Sequence, residues 1–465
     1  MSSMPNTECA SEHQRLEAQA HHEALRISLS GRTGRSEIDE AIRAKAGLLL
    51  VDTIACTLAG RQSDEVRAAE QGFAALGGGP FSFPSGPTLS VQSAAAIAAM
   101  ACAWDEACEG LPYAHGRPGL ALVGALLPLA VVRHTALGSL LDALHLGYEM
   151  GARAGGWLRI RRGMHVDGNW PAVGVAAGAA RLMELPADQI WHAMNIAACQ
   201  LPSSLYAPIR SGDMARNTYL AHVAQLGLLA AGSAAAGITA PDDSMILYAL
   251  DHAVPCQTVV PDPAHDFLLD AYLKPHAGVR HAHYGLEAAI QLHRAISGDS
   301  LGIESIQLQV YEEAATYAGN RAPLRPLTGQ FSLSLAVAAG LRFGEMGPEC
   351  YRPERFFDPE LRRLEAMTEV STRAELGAQG TRAAILKIVH RGRSYTLRTD
   401  SIAGGPERPL TQTAIVEKFI TYAQPGCTAP QAREFAERCL ASDLDQRFDR
   451  LWLGLNETRN GSVHA

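Results

Sequence analysis

The segment Lys274-Pro275-His276-Ala277-Gly278-Val279-Arg280-His281-Ala282-His283 is the densest gathering of chemically capable side chains in the sequence. Five groups that can carry positive charge fall within ten positions, beside a proline and a glycine that mark a loop. Such a nest suits a negatively charged substrate, because arginine grips a carboxylate through two parallel hydrogen bonds. Two other readings stand beside it. His281 and His283 could ligate a metal, although no nearby carboxylate or thiolate completes a site, and metal is not expected. The segment could equally be a helix N-terminus with solvated histidines.

Three further clusters carry similar chemistry. Gly163-Met164-His165-Val166-Asp167-Gly168 is a glycine-bounded turn ahead of an apolar run from Val173. A histidine there serves as general acid or base, since imidazole titrates near neutrality, or else hydrogen-bonds its own turn. Trp104-Asp105-Glu106 ends another apolar run and leads into Tyr113-Ala114-His115-Gly116-Arg117-Pro118-Gly119. Paired carboxylates followed by His and Arg line a cleft or decorate a solvated loop. Arg210, Asp213, Arg216 and Asn217 precede the apolar run Leu226 to Ile238 and admit the same two readings.

These loops need rigid elements to bring them together. The first half of the chain reads as successive helices. Ser36 with Asp39 forms a capping-box signature ahead of Ile42 to Gly60, with Gly60 placed to stop that helix. Pro186 opens another, with Ile190, Ala193, Met194 and Ala197 at helical spacing. Ser93 to Trp104, Ala121 to Val132 and Val173 to Leu182 are Ala-rich and apolar nearly all round, the pattern of central, closely packed helices. After about Pro261 the pattern changes. Ile306, Leu308 and Val310 alternate with Gln307 and Gln309 as in a half-buried strand. Ala383 to Val389 and Ser394 to Arg398 predict a strand pair turning at Arg391-Gly392, and Phe331 to Leu341 predicts a helix. Beyond Gly404-Gly405-Pro406 helices return, with Ile415, Phe419 and Ile420 on one face. The expected fold is mainly α: a large all-helical domain, 1–262 plus 405–465, carrying a smaller inserted α+β lid domain, 263–404.

Composition narrows the function classes. The chain has 465 residues, 47% hydrophobic and 19% charged, and a formal net charge of −8, which gives no non-specific attraction to nucleic acid. Its nine cysteines form no C-x-x-C pair, as expected of free thiols in a reducing cytosol. The first residues carry no apolar signal-peptide core, and the longest apolar stretch, Gly227 to Ala240, is too short to span a bilayer. The expected location is cytoplasmic, with no membrane partner. No G-x-x-x-x-G-K-[ST] loop, H-E-x-x-H or G-x-S-x-G motif is present, and the glycines of 151–156 follow no strand. Chemistry must come from side chains gathered by the fold, without a cofactor. Lysine is rare: only Lys45, Lys274, Lys387 and Lys418 occur, a bias expected of genome composition. Lysine can nevertheless lose a proton where arginine cannot, which singles out Lys274.

From about Leu48 to Phe419 the chain resembles the MmgE/PrpD family, which includes 2-methylcitrate dehydratase, cis-aconitate decarboxylase and iminodisuccinate epimerase. The resemblance rests on Val51-Asp52-Thr53-Ile54-Ala55, on Gly163-Met164-His165 with the Gly/Ala helix through Gly174 and Arg181, on Lys274-Pro275, on Arg280-His281-Ala282-His283, and on Gln330-Phe331-Ser332-Leu333. It implies a helical domain with an α+β lid, usually a homodimer, and a lyase of the dehydratase type. Such an enzyme removes a proton next to a carboxylate of a small di- or tricarboxylic acid; epimerisation, decarboxylation and a catalytically silent polycarboxylate-binding homologue are the alternatives. It implies that His165 transfers the proton, that Lys274 binds or polarises a substrate carboxylate, that Tyr317 reaches the site, and that Asp105 belongs to an acidic cluster lining it. His115 or Tyr317 would act opposite His165, with Arg117, Arg216, Arg280, His281 and His283 binding substrate. Two departures stand out. Gly116-Arg117-Pro118-Gly119 replaces a Gly-His-Pro-Gly-like turn, and Ala215-Arg216 replaces a Thr-Lys pair.

Overall fold

Small side chains set the spacing of the first half of the molecule. The computed structural model describes residues 11–35, 37–254 and 259–456. Six helices, Val91–Cys102, Pro118–Val132, Leu137–Trp157, Pro171–Leu182, Ala187–Ala198 and Thr218–Ala235, form the central bundle, most of their residues buried. Alanine and glycine let their backbones approach closely. At Gly174 an added Cβ would lie 2.6 Å from the carbonyl oxygen of Gly147 and 2.9 Å from Cα of Gly151. The glycines of 151–156 therefore serve helix packing.

The local signals explain most boundaries. Pro186 stands at the N-cap of Ala187–Ala198, and Gly60 is the last residue of Glu40–Gly60. Ser36 lies outside the described residues, and Asp39 takes the N-cap position of Glu40–Gly60 without a side-chain hydrogen bond. The mainly α class holds, but the helical half is not purely helical. A two-residue pair, Phe81–Ser82 against Thr88–Leu89, interrupts it where glycines and prolines prevent a helix, and Trp452 caps the pair by donating to the Ser82 carbonyl at 3.0 Å.

The second half holds a four-stranded sheet in the order Thr368–Thr372, Ile303–Val310, Ala384–His390, Arg393–Thr399. The first pair is parallel and the others antiparallel, with Leu308 opposite Leu386 and Leu386 opposite Leu397. Ile306, Leu308 and Val310 are buried, as their alternation predicts. Helices Arg280–Ala295 and Leu333–Phe343 pack on each other and on the sheet. The chain then returns to the first half, where Gln412–Ala423 packs against Glu40–Gly60. Among the described residues no helix is long and apolar enough to cross a membrane.

The Gly147–Gly174 crossing leaves no room for a methyl group. Gly174→Ala is expected to lower stability by about 1–3 kcal/mol, as overpacking does; denaturant unfolding measures it.

Candidate active site

Four loops, widely separated in sequence, meet where the helical bundle faces the sheet half. The helix Val91–Cys102 ends at Ala103, and the chain turns sharply through Glu106, whose φ is 53°. That left-handed conformation is costly for a residue with a side chain and persists only where the surroundings hold it. Arg117 stands at the N-cap position of Pro118–Val132. His165 and Asp167 belong to a single 3-10 turn before Pro171–Leu182, and Arg216 to another before Thr218–Ala235. Lys274 arrives from the loop that leads into Arg280–Ala295.

Glu106 joins them. Its Oε2 accepts from Arg117 at 2.7 Å and Arg216 at 2.5 Å, and its Oε1 from Lys274 at 2.9 Å. Asp167 accepts from Arg117 through both carboxylate oxygens and lies 3.5 Å from Arg216. Nδ1 of His165 is 3.7 Å from the Asp167 carboxylate and accepts the Asp167 backbone N–H at 3.2 Å. All but His165, which retains slight exposure, are buried. The result is a chain of alternating charge running Lys274, Glu106, Arg117 with Arg216, Asp167, His165.

Electrostatics follow from this arrangement. Burial pushes the Glu106 carboxyl up, but Arg117, Lys274 and Arg216 together hold it well below its ordinary range. Asp167 is likewise lowered, Arg117, His165 and Arg216 outweighing burial. Arg117 is raised well above its ordinary value; burial opposes this, and Asp167 and Glu106 reverse it. For His165 burial dominates, Arg216 and Arg117 add to it, and the value falls to about 4 despite Asp167. His165 is therefore a neutral imidazole at pH 7.

The expected gripping cations are thus not free. Three cations face two carboxylates of the protein itself, and all three protons of Lys274 are engaged, by Glu106 Oε1, the Glu106 carbonyl at 2.9 Å and the Gly278 carbonyl at 3.2 Å. Arg280 differs. Its guanidinium lies over the Tyr272 ring at 3.8 Å, its Nη1 is buried without a partner, and no carboxylate pairs with it among the described residues. His281 accompanies it, Nδ1 lying 2.6 Å from the Tyr311 hydroxyl and its ring stacked on Tyr317 at 5.8 Å. Tyr317 is 51% exposed, so it stands at the rim. Tyr206 stacks on His165 at 5.8 Å; burial raises its pKa, with Tyr317 adding and Arg216 opposing, which ties the two rims together.

Three expected residues lie outside the ionic chain. Asp105, although adjacent to Glu106, turns away and receives Arg352 at 2.7 and 3.0 Å through its two oxygens. His283 is buried on the inner face of its helix, its Nε2 3.3 Å from the Ala277 carbonyl, because helical rotation turns it away from His281, two residues earlier. His115 is exposed at φ 51°, its pKa lowered by burial and by Arg159 and Arg382 with Glu313 opposing; it takes part in no ion pair of the network. Glu106 was read only as one of the paired carboxylates that line a cleft, and Asp167 only as part of the 163–168 turn, neither with a role of its own. Tyr206 and Tyr311 carried no signal in the sequence.

A second layer of buried charge lies behind the site. Lys418 donates to Asp52 at 2.6 Å and to the carbonyls of Ala107 and Lys274, both at 2.8 Å. Glu109 accepts Gly119 N–H at 2.7 Å and the Tyr148 hydroxyl at 3.2 Å; burial pushes its carboxyl up to about 8. Lys45 reaches the Ala271 carbonyl at 2.6 Å. Three of the four lysines thus sit in pockets lined by carbonyls, which suit a compact ammonium better than a planar fork. Elsewhere, ligand atoms of His145, Glu149 and Asp266 lie within 4.8 Å of one another, the spacing of a metal site. Arg32 reaches Asp266 at 2.7 Å and Glu149 at 3.4 Å, so a guanidinium already neutralises that group.

Two family models match the chain. The MmgE/PrpD N-terminal domain matches residues 32–246, and the MmgE/PrpD C-terminal domain matches residues 276–443. No curated protein matches it.

Two outcomes follow from the buried charges. Glu106→Gln removes the shared anion of three cations and is expected to lower stability by roughly 3–5 kcal/mol, the cost of leaving buried charge unpaired, measured by urea unfolding. The histidines give a pH dependence of known sign. His165 and His276 both titrate at about 4 when folded, burial being the main cause, against 6.5 when free. The unfolded chain binds those protons first, so the melting temperature should fall as pH drops from 6.5 to 4. The lowered carboxyls of Glu106 and Asp167 act in the same direction, and the carboxyls that burial raises, Glu109, Asp52, Asp105 and Glu149, oppose.

Proposed function

The chain belongs to the MmgE/PrpD family, and from that premise we propose that it is an acid–base enzyme of the hydro-lyase type, acting on a small organic acid with two or three carboxylates. The observation that carries this reading is the neutral imidazole of His165 beside the Asp167 carboxylate; Arg280, half-buried and with no carboxylate of its own among the described residues, is the cation left for substrate.

Removing a proton from a carbon next to a carboxylate builds negative charge on that carboxylate, and the reaction needs a preorganised cation where the charge grows. Arg280 supplies it. In the proposed reaction His165 accepts the carbon-bound proton on Nδ1, the nitrogen that holds the lone pair, giving up its bond from the Asp167 N–H. The electron pair left behind forms the carbon–carbon double bond as the β-hydroxyl departs, protonated to water by Tyr317. Asp167 stabilises the imidazolium that forms, and Arg117 and Arg216 keep Asp167 in its carboxylate form. Lys274, Arg117 and Arg216 consequently act at one remove, by fixing Glu106 and Asp167. This differs from a pocket whose every cation touches substrate. The net charge of the ionic cluster is one positive, three cations against two carboxylates, which still favours an anionic ligand.

A second reading is a binding protein that retains the pocket without turnover. The commitment of Arg117 and Arg216 to protein carboxylates favours it. A panel of hydroxy-tricarboxylates, cis-aconitate and iminodisuccinate followed by NMR separates the two. Conversion of one member supports the enzyme; binding with no conversion supports the silent protein.

With the converted acid in hand, His165→Gln is expected to lower kcat by roughly 10²–10⁴, the worth of a positioned proton transfer, with an unchanged melting temperature. A near-normal rate refutes the role. Arg280→Gln is expected to weaken kcat/KM by roughly 10–100-fold through the lost charge-assisted bond, read from initial rates.

A further inference from the structure

His165 also lines a second, small pocket, whose other walls include Arg159, Arg161, Asn169, Ser203 and Tyr248. None of Glu106, Arg117, Arg216 and Lys274 belongs to it. Its volume of about 10 Å³ is that of one water-sized group, and the exposed side chains of Arg161 and Ser203 form its outer edge.

The polar atoms around this pocket are incompletely satisfied in a complementary way. Asn169, 2% exposed, donates its amide to the Pro202 carbonyl at 2.8 Å and to the Tyr248 oxygen at 2.7 Å, leaving Oδ1 buried with no donor. Tyr248 accepts that bond, and its own proton has no acceptor among the described residues. Arg159 anchors through Nη2 to the Tyr113 carbonyl at 2.9 Å, and its Nη1 is buried without a partner. Neither Arg159 nor Arg161 has a carboxylate within ion-pair distance among the described residues. One pocket thus holds a cationic donor without an acceptor, a hydroxyl donor without an acceptor, and an amide oxygen without a donor. Leaving such groups unmet costs about 1–3 kcal/mol each. A single water would answer part of this, but not the absence of negative charge beside two arginines.

We infer that this pocket is a subsite for the terminal carboxylate of an α-hydroxy acid. The carboxylate lies on Arg159, with Arg161 at the rim and the Tyr248 hydroxyl donating to it. The hydroxyl on the neighbouring carbon donates to Asn169 Oδ1. The small volume admits one oxygen-sized group, so a single carboxylate oxygen enters it, and the rest of the ligand lies in its open mouth and past His165. Its catalytic meaning rests on the reading of His165 as the proton carrier; binding at the subsite does not.

Isothermal titration of the whole protein with racemic malate and with succinate, the same diacid without the hydroxyl, tests this. Malate should bind at least roughly fivefold tighter than succinate, the worth of one hydroxyl bond in a buried site. Tyr248→Phe and Arg159→Gln should each weaken malate by about tenfold and narrow that preference, with a modest fall in melting temperature from the lost Asn169–Tyr248 and Arg159–Tyr113 bonds that leaves the protein folded at the assay temperature, and Tyr248→Phe alone decides the matter if Arg159→Gln fails to fold. Arg280→Gln should weaken both acids and keep the preference, because it acts at the other grip. Equal affinity for the two acids, or a preference that survives both Tyr248→Phe and Arg159→Gln, overturns the subsite even if turnover is found. A preference of the predicted kind in a protein that converts no acid leaves the subsite standing and removes the lyase reading instead.

Discussion

Glu106 holds one buried carboxylate against Lys274, Arg117 and Arg216, cations from three loops far apart in sequence. Removing any one partner would leave charge stranded away from water, and such stranding is costly enough to fix the others in place. The turn at φ 53° that aims Glu106 inward is one consequence. The direction of influence runs outward from there: the arginines hold Asp167, Asp167 faces His165, and His165 stays neutral in a buried, cationic setting. Buried ion pairs do not in general stabilise a fold relative to apolar packing, so this cluster is better understood as a device for geometry and charge.

The fold was legible because its signals are local and periodic. The alternation of Ile306, Leu308 and Val310 requires only that one face be buried. The turn at Arg391-Gly392 is readable because both residues take positive φ, as two-residue hairpins demand. The two-residue pair at Phe81–Ser82 is too short to leave a period, and its anchor, Trp452, comes from the far end of the chain.

The site was legible by residue type and not by direction. His165 and Lys274 are both in the ionic chain, as their chemistry suggested. Asp105 and Glu106 are indistinguishable by composition, and only the backbone sends one to Arg352 and the other to the cluster. Arg280, His281 and His283 read as one nest, yet a turn of about 100° per residue sends His281 to a different face from His283. Arg280 meets Tyr272, His281 meets Tyr311, and His283 turns inward. Charge pairing was the other missing piece, since sequence shows how many cations converge but not which carboxylates they already hold. Arginine at 117 and 216 suits a role in holding planar carboxylates, which a guanidinium fork grips through paired hydrogen bonds.

The proposed proton transfer depends most on a neutral imidazole, kept so chiefly by burial with Arg216 and Arg117 adding, and NMR titration of the His165 ring, assigned by its absence in His165→Gln, reads that state directly. A midpoint near 4, with the ring neutral throughout the physiological range, is the predicted result. A midpoint near the ordinary value of about 6.5 would contradict it, because the ring would then feel neither its burial nor the arginines behind Asp167.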